Sequence, residues 1–319
     1  MNETEVQAFW NAHPSGDHIV GGLHEEFADD YERFFTAYDA WRYDQEGHIP
    51  ACLDRFDFKN KRVLEIGLGQ GAESEQLIRR GARWSGLDLT AESVERVRAR
   101  LELRDLPYDD LRQGSALGIP WQDGSFDIVF SHGVLHHIPD IHTAQSEIYR
   151  VLQPHGSLIA MLYARRSLNY QLSIRVVRRA VLAVAYPLRR TPLLRGAPQI
   201  LGQHLANAEH DGLRRYLQLD NFIHRSTDGP LNPYARVYSV REVEADFPDF
   251  ELVEAFSRYM HAPPLPVHGF PGERLLGWHL WALLRPMPAR ERRSGVPAPA
   301  PRGTATVTDP FGTTQEGDA

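Results

Sequence analysis

The feature that most constrains this chain is the run Val63-Leu64-Glu65-Ile66-Gly67-Leu68-Gly69-Gln70-Gly71. A short apolar strand ends in an acidic residue and three alternate glycines, and a helical pattern follows. Strand, tight turn and helix in that order open a parallel α/β sheet, and glycines at the turn let the backbone approach a ligand closely. The rhythm continues to about residue 164. Strands are expected over 84–87, 126–130 and 157–163. Helices are expected over 72–80, from Thr90 onward with Val94, Val97 and Leu101 on one face, and over 141–152. From 165 the alternation stops. Tyr170, Ile174, Val177, Val181, Val184 and Leu188 then recur at the spacing of an amphipathic helix, and two more strands are expected over 251–256 and 278–284.

The pattern divides the chain into an aromatic, acidic helical cap (1–60), a Rossmann-like core (61–164), a helical insertion serving as a lid (165–245) and C-terminal strands (246–286). A tail of Pro, Ala, Gly and Thr (287–319) is expected to be disordered. The fold class is α/β: a seven-stranded, mostly parallel sheet with an antiparallel last strand.

Composition narrows the function classes. A net charge of −7 over 319 residues argues against a nucleic-acid partner, which must neutralise phosphates. The single cysteine, Cys52, excludes an internal disulfide and any cysteine-based metal site, so no metal is expected. The first residues carry no apolar leader, and no run reaches the roughly 18 apolar residues of a spanning helix. A cytoplasmic protein is expected. Arg175, Arg178 and Arg179 read as the solvated side of the insertion helix, so membrane contact is not expected.

The glycine loop alone leaves nicotinamide and flavin enzymes open. Glu65 weighs against a pyrophosphate and suits a ligand carrying an ammonium. Asp88, in Gly86-Leu87-Asp88-Leu89-Thr90, ends the second strand where a carboxylate can accept ribose hydroxyls, which implies a nucleoside without saying which.

Four further motifs decide it. Gly114-Ser115-Ala116 precedes Asp123-Gly124-Ser125-Phe126-Asp127, then comes Val134-Leu135-His136-His137-Ile138, and Glu147-Ile148-Tyr149-Arg150-Val151-Leu152 closes the following helix. With these in place, Val63 to Tyr163 resembles a class I S-adenosylmethionine-dependent methyltransferase, in the branch with Leu-His-His after the fourth strand. The resemblance implies S-adenosyl-L-methionine as cofactor. Glu65 and the backbone at Gly67, Gly69 and Gly71 would hold the methionine moiety, Asp88 the ribose, and Leu89, Ser115 and Ala116 the adenine. Ser131 would line the methionine arm. The family commonly has an aspartate where Ser115 stands.

The resemblance also places His136 and His137 where a general base would act. Tyr43 is expected over the cofactor. Tyr31, His224, Asp228, Asn232, Tyr234 and Tyr238 are expected around the acceptor. The reaction expected is O-methylation of a small specialised metabolite. The alternatives are carboxyl- or N-methylation of a peptide or amine, a catalytically silent cofactor-binding partner protein, and a nicotinamide oxidoreductase. The oligomeric state is not legible.

Overall fold

The computed structural model describes residues 2–288, so the expected tail from 289 onward lies outside the described residues. Four helices come first: α1 (Glu3–Ala12), α2 (Asp17–Val20), α3 (Tyr31–Gln45) and α4 (His48–Leu53). The alternating core follows: β1 (Arg62–Ile66), α5 (Ala72–Arg79), β2 (Arg83–Asp88), α6 (Ala91–Leu103), β3 (Asp110–Gln113), β4 (Phe126–His132), α7 (Ile141–Val151) and β5 (Leu152–Tyr163). The insertion contains a π-helical segment (Asn169–Arg178) running into α8 (Arg179–Ala185), then α9 (Gln199–Asp211), α10 (Leu213–Tyr216) and α11 (Leu219–His224). The chain closes with α12 (Val240–Asp246), β6 (Phe250–Arg258), α13 (Glu273–Leu276) and β7 (His279–Pro286).

The seven strands form one sheet in the order β3-β2-β1-β4-β5-β7-β6. β7 runs antiparallel to both β5 and β6, so it alone is reversed, as expected. The order reverses between β1 and β4, and ligands of open α/β sheets bind outside the strand ends at that point. The short β3, with one buried residue in four, carries too little apolar signal to be read from sequence.

Each sheet face is closed by a separate apolar cluster. On one side Leu64, Val129, Leu158 and Leu162 pack with Ala144 and Ile148 of α7. On the other, Val63, Trp84, Phe130 and Trp281 pack with Leu77, Val97 and Leu101 of α5 and α6. Fully burying each such side chain contributes about 1.5–3 kcal/mol.

The cap is tied to the core by two arginines of α6. Arg96 reaches Asp17 and lies over the Phe34 ring, 5.4 Å from its centroid. Arg100 reaches Asp39 and Glu75 and lies 5.0 Å from the Phe35 centroid. Both guanidiniums are almost wholly buried, which is tolerable because each is paired on several sides.

The insertion corrects the expected stripe. Tyr170 and Ile174 are buried, but so are Leu182 and Ala185, whereas Val181 and Val184 are 48% and 69% exposed. A π-helical turn takes more residues than an α-helical one. Buried positions therefore recur every four residues through Asn169–Arg178, and the phase has slipped by one when α8 begins.

Candidate functional site

At the carboxyl ends of β1, β2 and β4 lies a cavity enclosing about 1040 Å³ of empty space, part of it open to solvent. Its floor is the glycine loop. Gly67 has φ +79°, and a Cβ there would collide with the Val134 side chain; Gly69 has φ +52°. Glu65, Asp88, Leu89, Ala116 and His137 also line it. Of the residues expected at the cofactor, the structure thus brings Glu65, Gly67, Gly69, Asp88, Leu89 and Ala116 to one surface.

Asp88 is more occupied than a free ribose acceptor. Its carboxylate accepts from the Leu68 amide at 2.7 Å and from the Thr90 amide and hydroxyl, each at 2.8 Å. It pins the glycine loop to the end of β2, with the Gly69 amide also turned toward it, so little acceptor capacity remains. Burial raises its pKa against these bonds.

Glu65 is buried, accepts from the Trp84 indole N–H at 2.8 Å, and is pushed up to about 8 by burial. A carboxyl group kept from water, with no cation beside it among the described residues, holds its proton. The cation that would draw it off is what a ligand bearing an ammonium and a sulfonium supplies. Among the described residues the lining carries four carboxyl groups, Glu3, Glu65, Glu73 and Asp88, against one guanidinium, Arg42. Glu73 and Glu75 occupy the first turn of α5, where a pyrophosphate binder presents free amides to its anion. The residues fit S-adenosylmethionine and disfavour a dinucleotide.

Four expected contacts fall elsewhere. Gly71 packs under α6 against Arg100 and Val97. The Ser131 hydroxyl donates to the Ile66 carbonyl at 3.0 Å inside the sheet. The Ser115 hydroxyl bonds to Glu3 of α1. Tyr43 does not reach the cavity lining; its hydroxyl donates to the Ala72 carbonyl at 3.3 Å. Tyr31 packs on Phe35, also away from the lining. The cap residues that do reach it are Glu3, Val6, Trp10, Ser15, Tyr38 and Arg42. Glu3, Val6 and Trp10 stand at i, i+3 and i+7 of α1, so this helix roofs the cavity with one face. The i, i+3, i+7 spacing is a sequence signal for that face, one weaker than the aromatic density of the segment that follows it.

The two histidines separate. His136 is fully buried, does not line the cavity, and has no hydrogen-bond partner for either ring nitrogen among the described residues. Its ring lies 3.8 Å from that of Tyr163, and burial holds its pKa well below the usual value. His137 lines the cavity, but one of its nitrogens is hydrogen-bonded and the other is buried without a hydrogen bond among the described residues. Nδ1 meets the Tyr234 carbonyl at 2.7 Å and must donate to it; Nε2 lies 3.3 Å from Asp228 Oδ2, close but poorly aligned. Neither imidazole offers the cavity a free nitrogen.

Asp228 is the hub of the expected acceptor loop. Burial alone would raise its pKa, but His137 beside it, helped by the Tyr163 hydroxyl donating at 2.7 Å, holds it well below the carboxylate range. The Asn232 amide donates to Thr227 at 3.2 Å and to Asp228 at 3.4 Å. His224 stacks on Tyr234 and bonds to Ala235. Tyr238 lies in the core, its amide bonded to the Tyr163 carbonyl at 2.7 Å. The loop therefore sits at the Leu-His-His end of the sheet and grips His137 from behind. Its side chains do not line the cavity.

Deeper in the cavity, Arg42 bonds to Glu73 at 2.6 Å and pairs with Glu46 at 3.1 Å. It also lies 3.3 Å from His132 Nδ1. Arginine only donates, so Nδ1 is the acceptor and Nε2 carries the His132 proton. Burial pushes this imidazole down to about 3.

Residues 64–160 match the methyltransferase domain family. A fatty-acid O-methyltransferase of Mycolicibacterium smegmatis is 35% identical over 102 residues, covering 31% of this chain and 36% of that protein. Phthiotriol/phenolphthiotriol dimycocerosates methyltransferase 1 of Mycobacterium ulcerans is 33% identical over 139 residues, 37% of this chain and 50% of that one. The chain thus spans half or less of the length of these two relatives. A crystal structure of an S-adenosylmethionine-dependent methyltransferase from Mesorhizobium loti aligns with a TM-score of 0.48 at 14% identity. It covers 76% of this chain and 99% of that one. The domain match and the methyltransferase relatives support the expected class I methyltransferase core with S-adenosylmethionine as its cofactor. Among the described residues no helix is long and apolar enough to cross a membrane.

Proposed function

We propose that the whole chain is an S-adenosylmethionine-dependent methyltransferase of the Leu-His-His branch, acting in the cytoplasm on an oxygen of a small molecule. The observation that carries this is the acidic cavity over the glycine loop, where buried Glu65 lacks the cation that would ionise it. The cofactor, when bound, supplies a methyl group on a positively charged sulfur. Glu65 and the Gly67 and Gly69 backbone would face its methionine end, Asp88 the ribose, and Leu89 and Ala116 the base. Transfer discharges the sulfur, so the surroundings need align the partners and exclude water rather than stabilise a new anion. Val6 and Trp10, on the roof, serve that exclusion.

A carboxylate oxygen is the acceptor favoured by the histidine geometry. A carboxylate has no proton to lose, and neither His136 nor His137 presents a nitrogen to receive one. The name of the Mycolicibacterium relative points the same way. A hydroxyl acceptor would require the buried His137 Nε2 to turn from Asp228 toward the cavity first.

Calorimetry with S-adenosylmethionine, S-adenosylhomocysteine and NAD tests the cofactor, followed by methyl transfer to matched carboxylic acids, phenols and amines. The expected result is binding of the first two and turnover of acids foremost. Tighter binding of NAD would overturn the reading.

A further inference from the structure

The roof helix α1 does more than cover the cavity. Its first residue, Glu3, lines the cavity beside Leu89, Gly114 and Ala116, and its carboxylate takes the hydroxyl proton of Ser115. Four residues on, Gln7 Nε2 donates to the Leu89 carbonyl at 2.8 Å. One face of α1 is thereby fastened to both loops that bracket this corner, the one after β2 and the one after β3.

The hydrogen-bond inventory of the corner is uneven. Ser115 has one O–H to give and gives it to Glu3; its oxygen already accepts from the Leu117 amide at 2.9 Å. The serine therefore has little left for a ligand. Glu3, an acceptor with about four lone-pair positions, spends one of them here. Leu89 and Ala116 give the corner apolar walls suited to a flat ring. A flat ring between apolar groups, with an anionic acceptor at its edge, is a site for a base that carries an amino group.

We propose that Glu3 selects the base of the cofactor, its carboxylate accepting from the exocyclic amine of adenine. This rests on the cofactor reading above. The acceptor arrives from a helix 112 residues away in sequence, so base recognition and closure of the roof are one event. A nucleoside without the amine would leave Glu3 facing a carbonyl oxygen and would hold the roof less well.

The test is isothermal calorimetry of S-adenosylhomocysteine and S-inosylhomocysteine, which differ by an amino group against an oxo group at that edge. Four proteins are compared: the unaltered chain, Glu3→Ala, Glu3→Gln, and Glu3→Ala combined with Ser115→Asp. Circular dichroism checks that each is folded. A charge-assisted hydrogen bond is worth roughly ten- to a hundredfold in affinity, so the unaltered chain should prefer the adenosine ligand by that factor. Glu3→Ala should abolish the preference by weakening the adenosine ligand alone. Glu3→Gln should keep part of it through its amide oxygen, and Ser115→Asp should restore it by returning a carboxylate to the corner. A preference that survives Glu3→Ala overturns the proposal. So does an equal loss for both ligands, which would make Glu3 a fastening of α1 and nothing more. Binding of neither ligand by the unaltered chain would bring down the cofactor reading itself, and this inference with it.

Discussion

Cofactor binding should release a proton, and Glu65 should be its source. Burial pushes this carboxyl up to about 8, so at pH 7 only about one molecule in ten carries it ionised. A ligand whose ammonium and sulfonium enter beside it favours the carboxylate and draws its pKa down by a few units. Between about pH 6 and 8 the affinity should then rise by nearly tenfold per pH unit, levelling off above, with close to 0.9 proton released per site at pH 7. Calorimetry of S-adenosylmethionine in buffers of different ionisation enthalpy reads that number directly, as the slope of observed heat against buffer heat. Glu65→Gln should flatten the affinity profile across the window and remove most of the slope. A wild-type slope near zero would refute the reasoning, because Glu65 would then be ionised already or indifferent to the ligand. The same shift has a consequence for the ligand-free protein. The folded carboxyl holds its proton more tightly than the unfolded chain does. Its contribution to stability is thus fully present below about pH 4.5 and is lost as pH rises toward 8.

Three other outcomes are expected. Gly67→Ala, which forces a side chain into Val134 at φ +79°, should weaken S-adenosylhomocysteine binding at least tenfold by calorimetry. His137→Gln should leave cofactor affinity within about threefold. It should leave transfer to a carboxylate within about tenfold, whereas a hydroxyl acceptor relying on that base would lose a factor of about 10²–10⁴ in kcat. Arg100→Ala removes one guanidinium from a cluster in which Arg104 still pairs with Asp39 and Glu75; it loosens the cap and should cost roughly 1–3 kcal/mol in a urea denaturation curve.

What the sequence disclosed follows the range of its signals. The strand ending at Glu65 and the glycines after it announce themselves within nine residues, since period, turn and acid are all local. Asp88 was legible as a strand-end carboxylate, but the Leu68 amide that donates to it was not, because it lies twenty positions away. The cap was placed over the cavity by its aromatic content. Yet Tyr31 and Tyr43 face other partners, and Glu3, Trp10 and Arg42 line the space instead. Which face of a short helix turns inward depends on what the sheet offers it, and α1 meets that surface through contacts across about a hundred residues. The insertion misled for a different reason: its spacing was read at 3.6 residues per turn, and the π-helical segment does not keep that period.

The bond between Trp84 and Glu65 has a use beyond holding a side chain in place. Trp84 is fully buried, and its indole N–H is directed at the carboxyl group expected to change charge when the cofactor enters. An indole's emission responds to a charge appearing at its nitrogen, so the cavity carries its own optical gauge. Trp10 lines the space from the roof, and Trp84 is linked to it through Glu65. Exchanging each in turn for phenylalanine would let fluorescence follow the filling of the floor and the closing of the roof as separate signals in time.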